Sequence, residues 1–476
     1  MLTDLYQLTM MHGYLRQQKQ DQLAVFDLFF RSSNEFSAYC IAAGLEQALD
    51  YVQNLCFDAD DIAYLRDLHM FDEAFLQYLS DFHFDGDIDA MPEGTVCFPG
   101  EPLVRVTAKL PQAQLIETAM LNIINHQTLI ATKAARVVHA AGDGAVLEFG
   151  LRRAQGPDAG IYGARATMIG GCQATSNVLA GQLFNIPVRG THSHSWVMSF
   201  ASEIEAFRAY AEAFPDGCLL LVDTYDTLRS GLPNAIQVFR ELREQGHEPT
   251  GIRLDSGDLA YLSKKARKML DEAGFPKAQI VASGDLDEEV IWDLRAQGAS
   301  INTWGVGTRL ITSLDHPALG GVYKLAAVDN DGAMTPCIKL SDSHVKVTNP
   351  GVKQVWRIQD ANGKALADLI TLADEVIDQS QPLELFDPIE TWKRMTVENF
   401  TATPLLAPCV KGGQRVGPQP TLQEICQYAD AQKQTLWDEY TRLKNPHVYK
   451  VDLSQRLYSL KQSLLSCRKA GAAPQG

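Results

Sequence analysis

Residues 253–258, Arg-Leu-Asp-Ser-Gly-Asp, hold three charged side chains and a hydroxyl within six positions. Side chains alternate along a strand, so Arg253 and Asp255 point to the same face. A buried ion pair is one interpretation of these two residues. Because Ser-Gly-Asp follows directly at a predicted strand end, we favour an anion clamp beside an acceptor for a hydroxyl or a magnesium-bound water.

Two neighbouring arginines lie in the segment Glu148-Phe-Gly-Leu-Arg-Arg153. A guanidinium group matches a carboxylate or phosphate bidentately, and Phe149 offers a flat face for a planar ring. A surface salt bridge is the alternative, and it suits Arg153 better than Arg152. The segment therefore indicates an anion contact beside a ring-binding face.

Two histidines alternate with hydroxyl residues in Gly190-Thr-His-Ser-His-Ser195. His192 and His194 could bind a metal ion, or one of them could be a reactive histidine. A metal hydrolase needs further ligands at later strand ends. His247 and His316 lie in loops instead, so metal binding is the weaker interpretation.

The segment Gly305-Val-Gly-Thr308 follows a predicted buried strand. Its glycines allow backbone N–H groups to approach a phosphate closely. Phosphate sites commonly lie at the ends of late strands in parallel barrels. This position makes the segment a candidate phosphate cradle.

Four short apolar segments must position these side chains: 218–224, 250–256, 279–283 and 301–307. Each alternates with a helical pattern, which predicts βα units and a parallel sheet. The carboxyl ends of such strands meet on one face, where active sites form. Asp285 and Asp287 are equally well explained as helix N-caps. Before this region, residues 94–106 are predicted to form a strand.

The composition excludes several classes of protein. The chain has 476 residues, a net charge of −16 and 46% hydrophobic residues, which argues for a globular protein without nucleic acid or anionic lipid as its main partner. Nine scattered cysteines without a CxxC pair favour a reducing cytoplasm. The sequence Met1-Leu-Thr-Asp4 predicts no signal peptide, and the charged residues within 115–138 argue against a membrane span.

Taken together, the motifs resemble the nicotinate phosphoribosyltransferase family in order and spacing. The segments that carry the resemblance are Thr3-Asp-Leu-Tyr-Gln-Leu-Thr-Met10, Phe149-Gly-Leu-Arg-Arg153, Gly190-Thr-His-Ser-His-Ser195, Val222-Asp-Thr-Tyr-Asp226, Arg253-Leu-Asp-Ser-Gly-Asp258, Gly305-Val-Gly-Thr308, Gly320-Gly-Val-Tyr-Lys324 and Thr403-Pro-Leu-Leu406. A more distant resemblance is to nicotinamide phosphoribosyltransferases.

The resemblance implies an α/β protein: an irregular α/β barrel of the type II phosphoribosyltransferase kind, joined to an α/β domain built from both ends of the chain. It assigns residues 1–115, completed by part of 325–400, to the N-terminal domain. Residues 116–324 would form the barrel with the active site, and residues 325–476 the C-terminal segments and helices. It also implies a homodimer whose active sites lie at the subunit boundary.

The resemblance further implies the reaction: nicotinate, phosphoribosyl pyrophosphate and ATP give nicotinate mononucleotide in NAD salvage, with Mg²⁺ as cofactor. Catalytic roles would fall to His194, Arg253 and Asp255, with His194 phosphorylated by ATP and Asp255 facing the ribose or magnesium. The residues implied to bind substrates are Tyr6 (from the partner subunit), Phe149, Arg152, Thr191, Arg253, Ser256, Gly307 and Thr308.

Three alternatives remain. A nicotinamide-using enzyme would favour an acid near Ala174-Thr-Ser176, and this stretch contains none. A metal-dependent barrel hydrolase would use His192 and His194. A catalytically idle paralogue would lack some of the expected site residues, whereas candidates occur at every expected position.

Overall fold

A computed structural model of the chain describes residues 1–31, 37–341 and 346–469. Its contacts divide the chain into two compact units. One unit contains residues 1–129 with 318–476, and the other contains residues 130–317.

Strands and helices alternate along most of the chain. The strands are β1 (Leu23–Phe30), β2 (Cys40–Ile41), β3 (Asp87–Ala90), β4 (Val96–Cys97), β5 (Val104–Lys109), β6 (Ala145–Glu148), β7 (Ala174–Thr175), β8 (Leu219–Leu221), β9 (Gly251–Leu254), β10 (Gln279–Ser283), β11 (Thr303–Val306), β12 (Gly321–Asn330), β13 (Ala333–Pro336), β14 (Lys353–Gln359), β15 (Ala365–Leu372), β16 (Leu383–Phe386), β17 (Arg394–Val397), β18 (Thr401–Pro404), β19 (Ala407–Lys411), β20 (Gln414–Arg415) and β21 (Val451–Leu453). The α-helices are α1 (Leu5–Arg16), α2 (Leu45–Asn54), α3 (Ala59–Asp67), α4 (Glu73–Ser80), α5 (Leu110–Leu115), α6 (Glu117–Ala141), α7 (Pro157–Gly170), α8 (Val178–Phe184), α9 (His194–Met198), α10 (Glu203–Ala213), α11 (Leu232–Glu244), α12 (Leu259–Glu272), α13 (Glu288–Ala296), α14 (Thr308–Ile311), α15 (Leu422–Thr435), α16 (Asp438–Thr441) and α17 (Gln455–Lys469).

The unit of residues 130–317 is built on a parallel six-stranded sheet with the order β7-β6-β11-β10-β9-β8. Its inner strands are short and mainly buried. Helices follow most of them in the chain, and such crossover helices cover the faces of a parallel sheet. The predicted βα alternation and parallel sheet are therefore confirmed. Asp258 and Asp287 accept backbone N–H groups as the N-caps of α12 and α13.

The other unit contains two larger sheets. A seven-stranded sheet has the order β13-β12-β1-β5-β3-β19-β20, and a four-stranded sheet has the order β18-β14-β15-β21. The strand predicted over 94–106 is wrong as one element: β4 and β5 are separate strands. Pro99, Gly100 and Pro102 lie between them, and proline cannot donate to a strand ladder.

Within the described ranges, no helix combines the length and the apolar character that a membrane crossing requires.

Candidate active site

A cavity of about 420 Å³ lies at the carboxyl ends of the parallel strands. Phe149 enters it after β6, Ser176 after β7, Leu221 at the end of β8, and Arg253 and Asp255 at the end of β9. Strand ends of a parallel sheet converge on one edge, so residues far apart in sequence meet there. A larger cavity of about 930 Å³ lies in the other unit and contains none of the predicted site residues.

Arg253 is held from two sides. Its Nε donates to Ser283 Oγ at 2.7 Å, and its Nη2 donates to Asp255 Oδ1 at 2.8 Å. Within the described residues no hydrogen bond uses Nη1, which leaves that edge of the guanidinium for a ligand. The carbon at the centre of the guanidinium lies 5.8 Å from the ring centroid of Phe149. A cation and an aromatic face thus adjoin in one cavity.

Asp255 is an ionised partner of this arginine. Burial alone would raise the pKa of the Asp255 carboxyl, but hydrogen bonds from Ser283 and Arg253, with the charge of Arg253, outweigh it and hold the pKa below its ordinary value. Both hydrogen bonds use Oδ1. Oδ2 accepts no hydrogen bond from the part of the chain that the structure describes, so it can take a ligand hydroxyl or water.

Asp223, which follows β8, connects three parts of the site. Its Oδ2 accepts the Asp255 backbone N–H at 2.8 Å and the Ser256 hydroxyl at 2.6 Å. Its Oδ1 lies 3.2 Å from His194 Nε2, and only 2% of the side chain is exposed. The predicted site residues did not include Asp223, although its place at a strand end was the available signal.

The two histidines have different surroundings. His194 lines the cavity with 39% of its side chain exposed. His192 is buried: its Nε2 accepts the Leu221 backbone N–H at 3.3 Å, and its ring packs 4.7 Å from that of Tyr210. Burial lowers the pKa of His192 to about 4. Nε2 is thus occupied and Nδ1 faces the Ser193 carbonyl at 3.4 Å, so neither ring nitrogen of His192 is open to a metal ion shared with His194.

No group of three or more His, Cys, Asp or Glu side chains in the described ranges is arranged to hold a metal ion by itself. Magnesium is commonly bound through one or two carboxylates plus substrate phosphates. The open Oδ2 of Asp255 is compatible with that arrangement.

The glycines of the predicted phosphate cradle allow close packing against the ring face. A Cβ on Gly305 would lie 2.6 Å from the Phe149 ring, and one on Gly307 would lie 3.2 Å from the Phe149 carbonyl oxygen. Thr308 begins α14 directly afterwards. The structure therefore brings Gly307 next to the Phe149 turn.

The remaining predicted residues divide into two groups. Arg152 is exposed and lines the cavity, as does Thr191, whose hydroxyl donates to the Leu219 carbonyl at 2.8 Å. Tyr6 lies on α1 of the other unit with 46% of its surface exposed, and it does not line this cavity.

Three family models match the chain. They describe the nicotinate phosphoribosyltransferase N-terminal domain at residues 1–125, the nicotinate phosphoribosyltransferase family at residues 145–368 and the C-terminal domain at residues 352–461. A nicotinate phosphoribosyltransferase of Bacillus subtilis is 50% identical over 460 residues, covering 96% of this chain and 94% of the relative. The Homo sapiens nicotinate phosphoribosyltransferase is 36% identical over 532 residues, covering 100% of this chain and 97% of the relative.

Solved structures agree with these matches. The crystal structure of human nicotinic acid phosphoribosyltransferase has a TM-score of 0.85 and 34% identity, covering 98% of this chain and 100% of that chain. A nicotinate-nucleotide pyrophosphorylase from Pyrococcus furiosus shares the fold, with a TM-score of 0.69 and 22% identity. With its α/β fold and similarity along nearly its whole length, the chain is an enzyme that belongs to the nicotinate phosphoribosyltransferase family.

Proposed function

We propose that this enzyme joins nicotinate to phosphoribosyl pyrophosphate, with ATP hydrolysis, and so forms nicotinate mononucleotide for NAD biosynthesis. The observation that carries the proposal is the open Nη1 edge of Arg253 beside the ring of Phe149. Nicotinate combines an anionic carboxylate with a flat pyridine ring. The two protein groups offer the matching partners, a guanidinium and an aromatic face.

Substrate selection follows from the charge around the cavity. A carboxylate substrate needs cationic or neutral neighbours, whereas the N–H₂ group of nicotinamide favours an acid. Ser176 lines the cavity after β7, and the carboxylate of Asp255 is already paired with Arg253. These surroundings favour nicotinate.

The transfer step needs no general base, because the pyridine nitrogen is unprotonated at neutral pH. Its lone pair forms the bond to C1 of the ribose, the C1–O bond breaks, and that electron pair leaves with pyrophosphate. The ribose becomes cationic in the transition state, and ionised Asp255 lies in the same cavity. Gly307 and Thr308 would hold the 5′-phosphate through backbone N–H groups and a hydroxyl.

Magnesium would be held through Asp255 Oδ2, directly or through water, together with phosphate oxygens of the substrate. When bound, it neutralises negative charge on the pyrophosphate leaving group.

ATP would act through His194. Asp223 Oδ1 lies 3.2 Å from His194 Nε2 and, as a carboxylate oxygen, accepts a hydrogen bond from the Nε2–H group. This contact favours the tautomer whose lone pair is on Nδ1. Nδ1 would then attack the γ-phosphate, with release of ADP, and water would later cleave the P–N bond to give phosphate. Ser256 would contribute to substrate binding from the same turn, since its hydroxyl is fixed on Asp223.

A homodimer would complete the site with Tyr6 of the neighbouring subunit. Tyr6 is exposed on its own unit. Exposed apolar side chains also follow the cavity residue Ser176 on α8: Val178 is 71% exposed, and Leu183 is 58% exposed. Such a surface is typical of an interaction site. We place the enzyme in the cytoplasm, as its scattered cysteines suggest.

One incubation tests the reaction. The enzyme is given nicotinate or nicotinamide with phosphoribosyl pyrophosphate and Mg²⁺, with and without ATP, and the mononucleotide is identified. We expect nicotinate mononucleotide, formed faster with ATP. Formation of nicotinamide mononucleotide alone, or of neither product, would overturn the proposal.

The roles of the two histidines are tested separately. His194→Ala should abolish protein phosphorylation and the ATP stimulation but leave slow ATP-independent transfer, because Arg253 and Phe149 are unchanged. His192→Ala should leave the phosphorylation in place. If acid-labile label from γ-labelled ATP persists in His194→Ala, the phosphorylated residue lies elsewhere.

A further inference from the structure

Glu148 is a buried carboxylate that the reaction described above does not use. It is the last residue of β6, and 0% of its surface is exposed. One carboxylate oxygen accepts the Gly150 backbone N–H, and the other accepts the Thr175 hydroxyl. Burial raises the pKa of Glu148, and these two hydrogen bonds offset part of that rise.

These contacts join two strand ends that both reach the cavity. Glu148 precedes the turn that contains Phe149 and Arg152, while Thr175 ends β7 and precedes Ser176. The backbone closes the same junction, since the Ser176 N–H donates to the Glu148 carbonyl at 2.9 Å. The Glu148 side chain thus connects the turn after β6 to the end of β7, and residues of both line the cavity.

Gly150 is closely packed at the start of this turn. A Cβ on Gly150 would lie 2.9 Å from Glu148 Oε1 and 2.5 Å from Ile311 Cβ. The Phe149 N–H also donates to the Val306 carbonyl at 2.8 Å. If the carboxylate were replaced by an apolar group, the buried Gly150 N–H and Thr175 hydroxyl would lose their acceptor, and a buried donor without an acceptor destabilises the structure around it.

We propose that Glu148 is a positioning residue for nicotinate: its carboxylate fixes the Phe149–Arg152 turn against the Thr175–Ser176 strand end and so sets the slot that receives the pyridine ring. This inference rests on the proposed function. It assigns Glu148 no contact with the substrate. Its effect is on the wall that the ring contacts, so nicotinate binding depends on it more strongly than binding of phosphoribosyl pyrophosphate.

Two conservative substitutions test the carboxylate. In Glu148→Gln the amide oxygen can replace only one of the two carboxylate oxygens. The amide N–H₂ group then faces a donor, either the Gly150 N–H or the Thr175 hydroxyl. The oxygen of that hydroxyl also accepts the Asn177 N–H at 3.0 Å. Thr175→Val removes the hydroxyl and keeps the shape of the side chain. Glu203→Gln is the matched control. Glu203 is 5% exposed in the same unit, accepts a hydrogen bond from the Asn234 side chain at 2.9 Å and does not line the cavity.

The KM for each substrate is measured at saturating concentrations of the others, together with the thermal midpoint of unfolding. Glu148→Gln should raise the KM for nicotinate about tenfold or more, and Thr175→Val should raise it in the same direction. The KM for phosphoribosyl pyrophosphate should change by less than about twofold in both variants. The double variant should show less than the product of the two single effects, because both changes alter the same contact between Glu148 and Thr175.

A purely structural role predicts a different result. It would lower the midpoint in Glu148→Gln and Glu203→Gln alike and leave both KM values unchanged, which overturns the inference. An equal rise in both KM values overturns it as well. If Glu148→Gln does not fold, Thr175→Val decides, since it leaves the carboxylate and its contact with the Gly150 N–H in place. A wild-type enzyme that forms no nicotinate mononucleotide would instead refute the proposed function.

Discussion

Replacing Asp223 with Asn should slow phosphorylation of His194 far more than it slows the transfer reaction. Oδ2 of Asp223 accepts two donors, the Asp255 N–H and the Ser256 hydroxyl. The amide oxygen of Asn must therefore take that place, and its N–H₂ group then faces His194 Nε2. A donor opposite Nε2 favours the tautomer with its proton on Nδ1, which removes the lone pair that would attack ATP.

The size of the effect follows from that tautomer. In catalytic triads, the corresponding Asp→Asn change holds histidine in the wrong tautomer and lowers kcat by about 10⁴. Asp223 faces His194 in the same way, so we expect phosphorylation to slow by about 10³–10⁴. ATP-independent synthesis should fall by about tenfold or less, because Asp255 and Ser256 keep a neutral acceptor.

The assay follows acid-labile label transferred from γ-labelled ATP to the protein, with nicotinate mononucleotide synthesis without ATP measured beside it. Asp226→Asn is the matched control. Asp226 Oδ1 accepts the Leu228 N–H at 3.1 Å and the Arg229 N–H at 2.9 Å, and asparagine is equally good in such a capping position. Labelling of Asp223→Asn at the wild-type rate would refute the tautomer argument.

Other substitutions address binding, assembly and stability. Arg253→Ala should lower kcat/KM for nicotinate by a factor that corresponds to about 2–5 kcal/mol of lost transition-state stabilisation. Unchanged kinetics in a folded protein would contradict the role of Arg253 in binding the carboxylate. Mixing inactive Tyr6→Ala with inactive Arg253→Ala should restore activity through hybrid dimers; no recovery despite subunit exchange would mean that each chain completes its own site. The pKa of His192 is lowered from 6.5 to about 4, so the unfolded chain binds more protons between these values. The free energy of unfolding should therefore fall by up to about 1.4 kcal/mol per pH unit as the pH drops through this range. His192→Gln, whose amide oxygen can accept the Leu221 N–H, should lack that slope in urea titrations, and an equal slope would contradict the assignment.

The parallel sheet could be predicted because its evidence is local. Segments such as β9 and β10 are short and apolar, and each is followed by a helix with its own capping residue. The segment 94–106 has apolar residues on both sides of its prolines, which predicted one strand. The pattern does not show where hydrogen bonding to neighbouring strands stops, and the structure has two strands there. The division into domains stays a prediction, because the family resemblance supplied it.

The candidate site could be predicted in its residue types but only partly in its contacts. Arg253 and Asp255 are two positions apart, so strand alternation alone puts them on one face, and the structure shows them 2.8 Å apart. Ser283 and Asp223 reach the same cluster from neighbouring strands, 30 and 32 positions away from their partners. Such contacts depend on the strand order β8-β9-β10, which no local pattern contains.

The net charge of −16 illustrates why a global property is a weak guide to this site. Two anionic substrates must enter an acidic protein, yet the carboxylates around the cavity are already engaged: Asp255 with Arg253, Asp223 with His194 and two further donors, and Glu148 with two buried donors. Exposed charges farther away than about 8 Å are largely screened at physiological ionic strength. The groups left open to an anionic substrate in this cavity are the Nη1 edge of Arg253 and the exposed Arg152. An acidic chain can thus still offer an anion site, because its nearby carboxylates are held by donors of the protein while two guanidinium groups stay open to a substrate.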